Sequence, residues 1–337
     1  MEHVDRFHRQ MLFQPIGEEG QQQLGRKHVV VVGCGALGSS ISEMLVRAGI
    51  GKLTIIDRDY VEWTNLQRQH LFVEADAEKV RPKAIAAKER LQEINQQVEI
   101  EAIVIDANPD TLPPFVKQCD LLIDATDNFD TRFVINDFAH KYQVPWIFGA
   151  CVGSSGMTFT IIPKKTPCLD CLLKVTPMFG ATCDSVGVIG PAVQMVVSHQ
   201  VTEGLKLLVK ADQYVRSKLV LFDLWKNHYQ MIDVSKAKNG QCSTCGHHPS
   251  YPTLQYKNQP KTEVLCGRDT VQIRGKKYDL AILAKRLKDF GHVHQNPFLV
   301  SVYVDSCRLV FFQDGRTFVH GTNSIEEAKS IYYQIVG

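Results

Sequence analysis

The sequence has little net charge: 38 Lys and Arg against 36 Asp and Glu leave +2 over 337 residues. That balance excludes a broad basic surface for nucleic acid and an acidic tail. Long apolar runs are also missing. The longest helix-like one, Pro191 to Val209, is broken by Ser198, His199, Glu203 and Lys206 and so does not read as a membrane span. The opening residues Met1-Glu2-His3-Val4-Asp5 lack the basic-then-apolar pattern of a secretory signal. Without that signal, the ten cysteines do not imply a disulfide scaffold; they imply reduced thiols or metal ligands. No internal repeat, low-complexity tract, Ser/His/Asp triad or HExxH motif is visible. These absences predict a cytoplasmic protein without membrane or nucleic-acid partners, and the length predicts about two domains.

What is present alternates. His28 to Gly33 is a β-branched run of the kind covered on both faces in a parallel sheet, and it feeds a glycine turn and a helix to about Gly49. Lys52 to Asp57, Val98 to Ile105, Leu121 to Thr126 and Pro145 to Phe148 read as further strands. Between them lie helical stretches at Lys83 to Asn95 and Phe129 to Tyr142, the first with Pro82 at its start. Asp5 to Gly25 reads as an amphipathic helical lead-in. The pattern predicts an α/β, doubly wound, Rossmann-like and mainly parallel sheet. Beyond Cys151 come a strand (Met157 to Pro163), an irregular Cys/Gly/Pro-rich loop (Pro167 to Gly190), a helix (Pro191 to Lys210) and an antiparallel pair (Lys218 to Val234). The expected organisation is a nucleotide domain with a metal site at 1–248, a linker at 249–259 and a small C-terminal α+β domain at 260–337. That last domain carries a turn at Asp314-Gly315 and a helix opening on the capping box Ser324 to Glu327.

The chemistry sits at a few positions. Gly33-Cys34-Gly35-Ala36-Leu37-Gly38 joins a strand to a helix N-terminus, whose free N–H groups suit any nucleotide. Asp57 ends the second strand, where a carboxylate can accept both ribose hydroxyls or simply cap a loop. Arg68 in Asn65-Leu66-Gln67-Arg68-Gln69 and Lys83 in Arg81-Pro82-Lys83 place two cations near that site, which fits the three phosphates of ATP better than the two of NAD. Asp127 lies at the end of the fourth strand, where a carboxylate can hold Mg²⁺ or cap the next helix; Asn128 beside it is a nucleotide candidate and an N-cap. Cys168-Leu169-Asp170-Cys171 and Cys242-Ser243-Thr244-Cys245 are two pairs at ligand spacing, and four thiolates make a closed, structural zinc site. Cys183, in the irregular loop, could be a nucleophile, although Asp184 disfavours its thiolate.

Together these residues resemble the ThiF/MoeB/HesA family, bacterial relatives of the ubiquitin-activating enzymes, from Arg6-Phe7-His8-Arg9-Gln10 to Cys245. The resemblance implies adenylation of the C-terminal glycine of a ubiquitin-like sulfur carrier protein ending in Gly-Gly, using ATP and Mg²⁺, by a homodimer. It implies that Gly33, Gly35, Ala36 and Gly38 line the nucleotide pocket, with Asp57 on the ribose. Thr64, Asn65, Arg68 and Lys83 would hold the phosphates, Asp127 the magnesium, and Cys168, Cys171, Cys242 and Cys245 the zinc. Arg9 would reach the nucleotide of the other subunit, and Cys183 matches the position at which the thiamin branch links covalently to its carrier. The short tail tilts the expectation towards thiamin thiazole synthesis. The alternatives are the molybdopterin carrier, a nicotinamide oxidoreductase resting on the glycine loop and Asp57, and a non-catalytic zinc-stabilised interaction protein.

Overall fold

A computed structural model of the chain describes residues 6–174, 186–255, 262–264, 269–304 and 306–336. Its chain contacts divide into two compact units, Met1–Tyr256 and Lys257–Gly337. The first is built on an eight-stranded sheet in the order β3-β2-β1-β4-β5-β6-β7-β8. These strands are β1 (His28–Val32), β2 (Lys52–Asp57), β3 (Glu99–Val104), β4 (Leu121–Asp124), β5 (Trp146–Val152), β6 (Ser155–Ile161), β7 (Lys218–Asp223) and β8 (His228–Asp233). β3 through β5 are parallel, and the later three continue the sheet antiparallel.

β1 shows why the sheet is doubly wound. Side chains alternate across a strand, so Val29 and Val31 enter one core and Val30 and Val32 the other. The first core is filled by helices Ala36–Ala48, Lys83–Ile94 and Gly190–Leu208, the second by Phe129–Tyr142. Strand order reverses at β1, whose neighbours are β2 and β4. The crevice beyond the carboxyl ends of β1 and β4 is therefore the ligand position that open α/β sheets provide.

The mainly parallel sheet expected from the alternation is found, with local differences. β5 runs on past Phe148 to Val152, because Gly149 to Val152 pair with β6. The lead-in is two helices, His8–Met11 and Gly17–Leu24. Within the expected irregular loop, Leu169–Leu173 forms a short helix. Cys183 lies outside the described residues.

The second unit is a six-stranded sheet ordered β11-β12-β13-β14-β10-β9. Its strands are β9 (Thr262–Val264), β10 (Thr270–Arg274), β11 (Val293–Gln295), β12 (Leu299–Val304), β13 (Cys307–Phe312) and β14 (Arg316–His320). All described pairings are antiparallel. Helices Leu280–Leu287 and Ile325–Val336 pack on one face around Leu283, Leu287, Phe311 and Tyr332. The capping box differs in detail from the sequence expectation. Ser324 Oγ accepts the Glu327 N–H at 3.3 Å, but the Glu327 carboxylate takes the Thr322 hydroxyl. Among the described residues, no helix is long and apolar enough to cross a membrane.

Candidate nucleotide site and four-cysteine centre

The glycine loop is shaped first by packing. Gly33 has φ +95°, and a Cβ there would lie 2.4 Å from the Ala125 carbonyl oxygen. A Cβ on Gly38 would lie 1.9 Å from the Gly33 carbonyl oxygen. Both glycines thus let the helix Ala36–Ala48 press onto β1 and the end of β4. Gly35 is its N-cap position, and no side chain caps the helix. The first-turn N–H groups from Ala36 onward remain available to an anion.

Asp57 is held directly beneath that loop. Oδ2 accepts the Cys34 N–H at 2.6 Å and Oδ1 the Asp59 N–H at 2.6 Å. Each oxygen keeps a lone pair for a further donor. Burial raises the Asp57 pKa above the ordinary carboxylate value, and the nearby Lys83 ammonium opposes that rise. Lys83 is only 3% exposed and pairs with Asp59 at 3.3 Å. It reaches the end of β2 because Tyr60 and Pro82 form an antiparallel bridge and the Lys83 N–H donates to the Asp59 carbonyl. Asp59 is thus the anchor of the lysine, a partnership for which sequence spacing gave no signal.

The segment carrying Arg68 begins with the 3-10 turn Trp63–Asn65. Asn65 is buried, and its side-chain oxygen accepts the Glu62 N–H at 3.1 Å. Its carbonyl oxygen accepts the N–H groups of Arg68 and Gln69. Asn65 therefore shapes the turn, while Thr64 is exposed at its edge. The Arg68 guanidinium is part-exposed and donates to the Thr64 carbonyl at 2.8 Å. Gln69 is buried, with its amide nitrogen 3.7 Å from where a Gly35 Cβ would stand. This proximity brings the Arg68 segment alongside the glycine loop.

At the end of β4, Asp124 is fully buried and accepts Arg132 Nε at 3.0 Å and the Thr126 hydroxyl at 2.6 Å. Burial raises its pKa, opposed by Arg132. Arg132 also donates to the carbonyls of Thr126 and Gly149 and lies over the rings of Phe129 and Phe148. With Asp124 so engaged, Asp127 is the carboxylate that this strand end presents to solvent. It suits a hard, oxygen-seeking cation such as Mg²⁺ that keeps several waters. Asn128 is the N-cap of Phe129–Tyr142, accepting the Thr131 N–H at 2.9 Å.

Arg9 is not brought to this group. Arg6 donates to the Ile94 carbonyl at 2.7 Å and Gln10 to the Ala48 carbonyl at 2.9 Å, and the Phe7 ring lies against Gly49. Those are the C-terminal ends of helices whose N-termini face the crevice. A 13-residue helix spans about 20 Å, so exposed Arg9 stands at the opposite end of the sheet from its own glycine loop.

The two cysteine pairs do converge. One ligand atom from each of Cys168, Cys171, Cys242 and Cys245 lies within 4.8 Å of all the others. The Cys168–Cys242 and Cys171–Cys245 sulfur separations are 3.5 and 3.6 Å. Thiolates at the usual Zn–S distance around a tetrahedral ion would be about 3.8 Å apart, so the donor set fits zinc. Contact with Cys245, together with burial, holds the Cys168 thiol above its ordinary range, and burial pushes Cys171 up to about 12. A divalent cation would offset that cost by stabilising the thiolates.

The fold and these two sites define an α/β protein with the crevice of a nucleotide-binding fold and a four-cysteine cluster that fits zinc. The chain matches the ThiF family over residues 7–244 and belongs to that family. It is 47% identical to a Bacillus subtilis protein named sulfur carrier protein ThiS adenylyltransferase, over 98% of this chain and 99% of that one. It is 31% identical to the molybdopterin-synthase adenylyltransferase of Salmonella typhimurium, over 72% of this chain and 96% of that one. The solved structure of E. coli MccB superposes with a TM-score of 0.63 at 22% identity, covering 74% of each chain. That likeness establishes the fold.

Proposed function

We propose that this protein adenylates the C-terminal glycine of a ThiS-type ubiquitin-like sulfur carrier for thiamin thiazole synthesis. The 47% identity along nearly the whole of both chains carries this reading. It includes the second unit, which the 72% match to the molybdopterin-type relative does not span in full. The molybdopterin carrier is the second reading, supported by the 31% identity over 72% of this chain.

The site suits the chemistry. A terminal carboxylate, with a reference pKa of about 3.5, is already ionised at neutral pH, so no general base is required. Its oxygen attacks the α-phosphorus of ATP; a new O–P bond forms, the α–β bridging P–O bond breaks, and pyrophosphate leaves with the electron pair. The obstacle is repulsion between an anion and a polyanion. Lys83 and Arg68, with donors of the helix N-terminus, would offset it, and Asp57 would orient the ribose. Mg²⁺ held by Asp127 would shield triphosphate oxygens when bound. Zinc in the four-cysteine centre would be structural, leaving no open position. This reading places the protein in the cytoplasm, where such thiols stay reduced.

The position of Arg9 supports a homodimer. Anchored at the far end of its own sheet, it can complete a nucleotide site only on another copy. ATP–pyrophosphate exchange with a ThiS-type and a molybdopterin-type carrier tests the assignment. Exchange that depends on the ThiS-type carrier is expected; exchange with the molybdopterin type alone would transfer the assignment.

A further inference from the structure

The helix Phe129–Tyr142 carries two adjacent buried polar residues, Asn136 and Asp137, that play no part in the nucleotide crevice. Each holds one cysteine pair. Asn136 Oδ1 accepts the Leu169 N–H at 2.9 Å, within Cys168-Leu169-Asp170-Cys171. Asp137 Oδ1 accepts the Thr244 hydroxyl at 2.5 Å, within Cys242-Ser243-Thr244-Cys245. Thr244 Oγ1 is also 2.9 Å from the Asp170 carboxylate, so it stands where the two pairs meet. The other Asp137 oxygen accepts the Thr253 N–H at 3.0 Å and the Thr253 hydroxyl at 2.6 Å. That locks the carboxylate's orientation and fastens the 3-10 turn Pro252–Leu254 to the same helix.

The two pairs lie seventy-four residues apart, counted from Cys168 to Cys242. Bringing them together costs loop-closure entropy that grows with the length of the loop. A zinc ion alone would have to supply that cost, unless the protein holds the pairs in register beforehand. We propose that Asn136 and Asp137 are positioning residues for the metal centre: one helix presents both cysteine pairs in register, so the cation closes a site already assembled. Partners beyond the ligands orient metal sites and set their affinity, and losing one typically costs about 10–100-fold. The proposal rests on the zinc reading of the four cysteines.

Thr244→Val and Thr244→Ser separate this role from mere packing, since valine keeps the shape without the hydroxyl and serine keeps the hydroxyl. Zinc content of the parent protein is measured first, then zinc affinity by competition with a chelator. Thermal melting of the metal-stripped proteins is followed in parallel. Thr244→Val should weaken zinc binding about 10–100-fold and lower the melting point of the stripped protein, with Thr244→Ser close to the parent. Should Thr244→Val fail to fold, Thr253→Val, which removes the hydroxyl bond to the Asp137 carboxylate and leaves only the backbone N–H to hold that oxygen, carries the same expectation. Parent-like zinc affinity in the valine variant, or an equal loss in the serine variant, overturns the proposal. A parent protein that takes up no zinc refutes the zinc reading instead.

Discussion

At the scale of single residues, the two cations proposed for the phosphates are built differently. Arg68 is part-exposed and donates to the Thr64 carbonyl at 2.8 Å. Arg68→Ala should lower pyrophosphate exchange about 100-fold or more while changing stability by under about 1 kcal/mol. Lys83 is buried against Asp59 and lies near Asp57. Lys83→Ala removes the cation beside buried Asp57 and part-buried Asp59, so it should abolish exchange and also cost about 3 kcal/mol in denaturant unfolding. A stability loss as large for Arg68 as for Lys83 would show that the difference in burial does not govern these sites. His140 gives a separate signature. Burial, reinforced by Lys238, depresses its pKa to about 4 from 6.5. The unfolded chain therefore binds a proton between those values that the folded chain refuses. Stability is unaffected above pH 6.5 and falls as pH drops towards 4, by at most about 3 kcal/mol. His140→Gln should flatten that part of the melting profile relative to the parent.

At the scale of elements, Asn128 and Asp127 are neighbours with separable work. Asn128 caps Phe129–Tyr142 through the Thr131 N–H. Asn128→Ala should cost about 1 kcal/mol of stability. Asp127→Ala should leave melting nearly unchanged and raise the magnesium concentration that half-saturates exchange. If both variants melt alike, the division of labour is wrong. This helix was legible in the sequence, from the Asn cap at its start to its close at Tyr142; that Gln143 ends it in the left-handed conformation was not. β1 was legible because a run of valines admits burial on both faces. The end of β5 was not, because Gly149 to Val152 are strand only by virtue of pairing with β6. Within the site, the glycine turn, Asp57 and Lys83 could be read from motif and position. Their supports could not: Asp59 meets Lys83 through a bridge between Tyr60 and Pro82, and Arg132 meets Asp124 across a strand–helix turn. Such partners are chosen by tertiary packing and leave no periodic trace.

For the whole molecule, the proposed dimer makes a test independent of any single site. Arg9→Ala and Lys83→Ala should each be inactive alone. Mixed and allowed to exchange subunits, half the dimers would pair one of each and contain one intact site, restoring about a quarter of parental activity. No recovery, with subunit exchange verified, would place Arg9 outside the partner's site. The anchoring of Arg6 and Gln10 to the Ile94 and Ala48 carbonyls has a kinetic corollary. On the proposed reading, a protomer fixed in this way would hold a nucleotide with its own Asp57 and Lys83 yet lack one positive charge for the transition state. Dilution would then act as an off-switch: turnover per protomer falls as subunits part, while nucleotide affinity largely persists. The cell's supply of activated carrier would rise more steeply than in proportion to the amount of enzyme it makes.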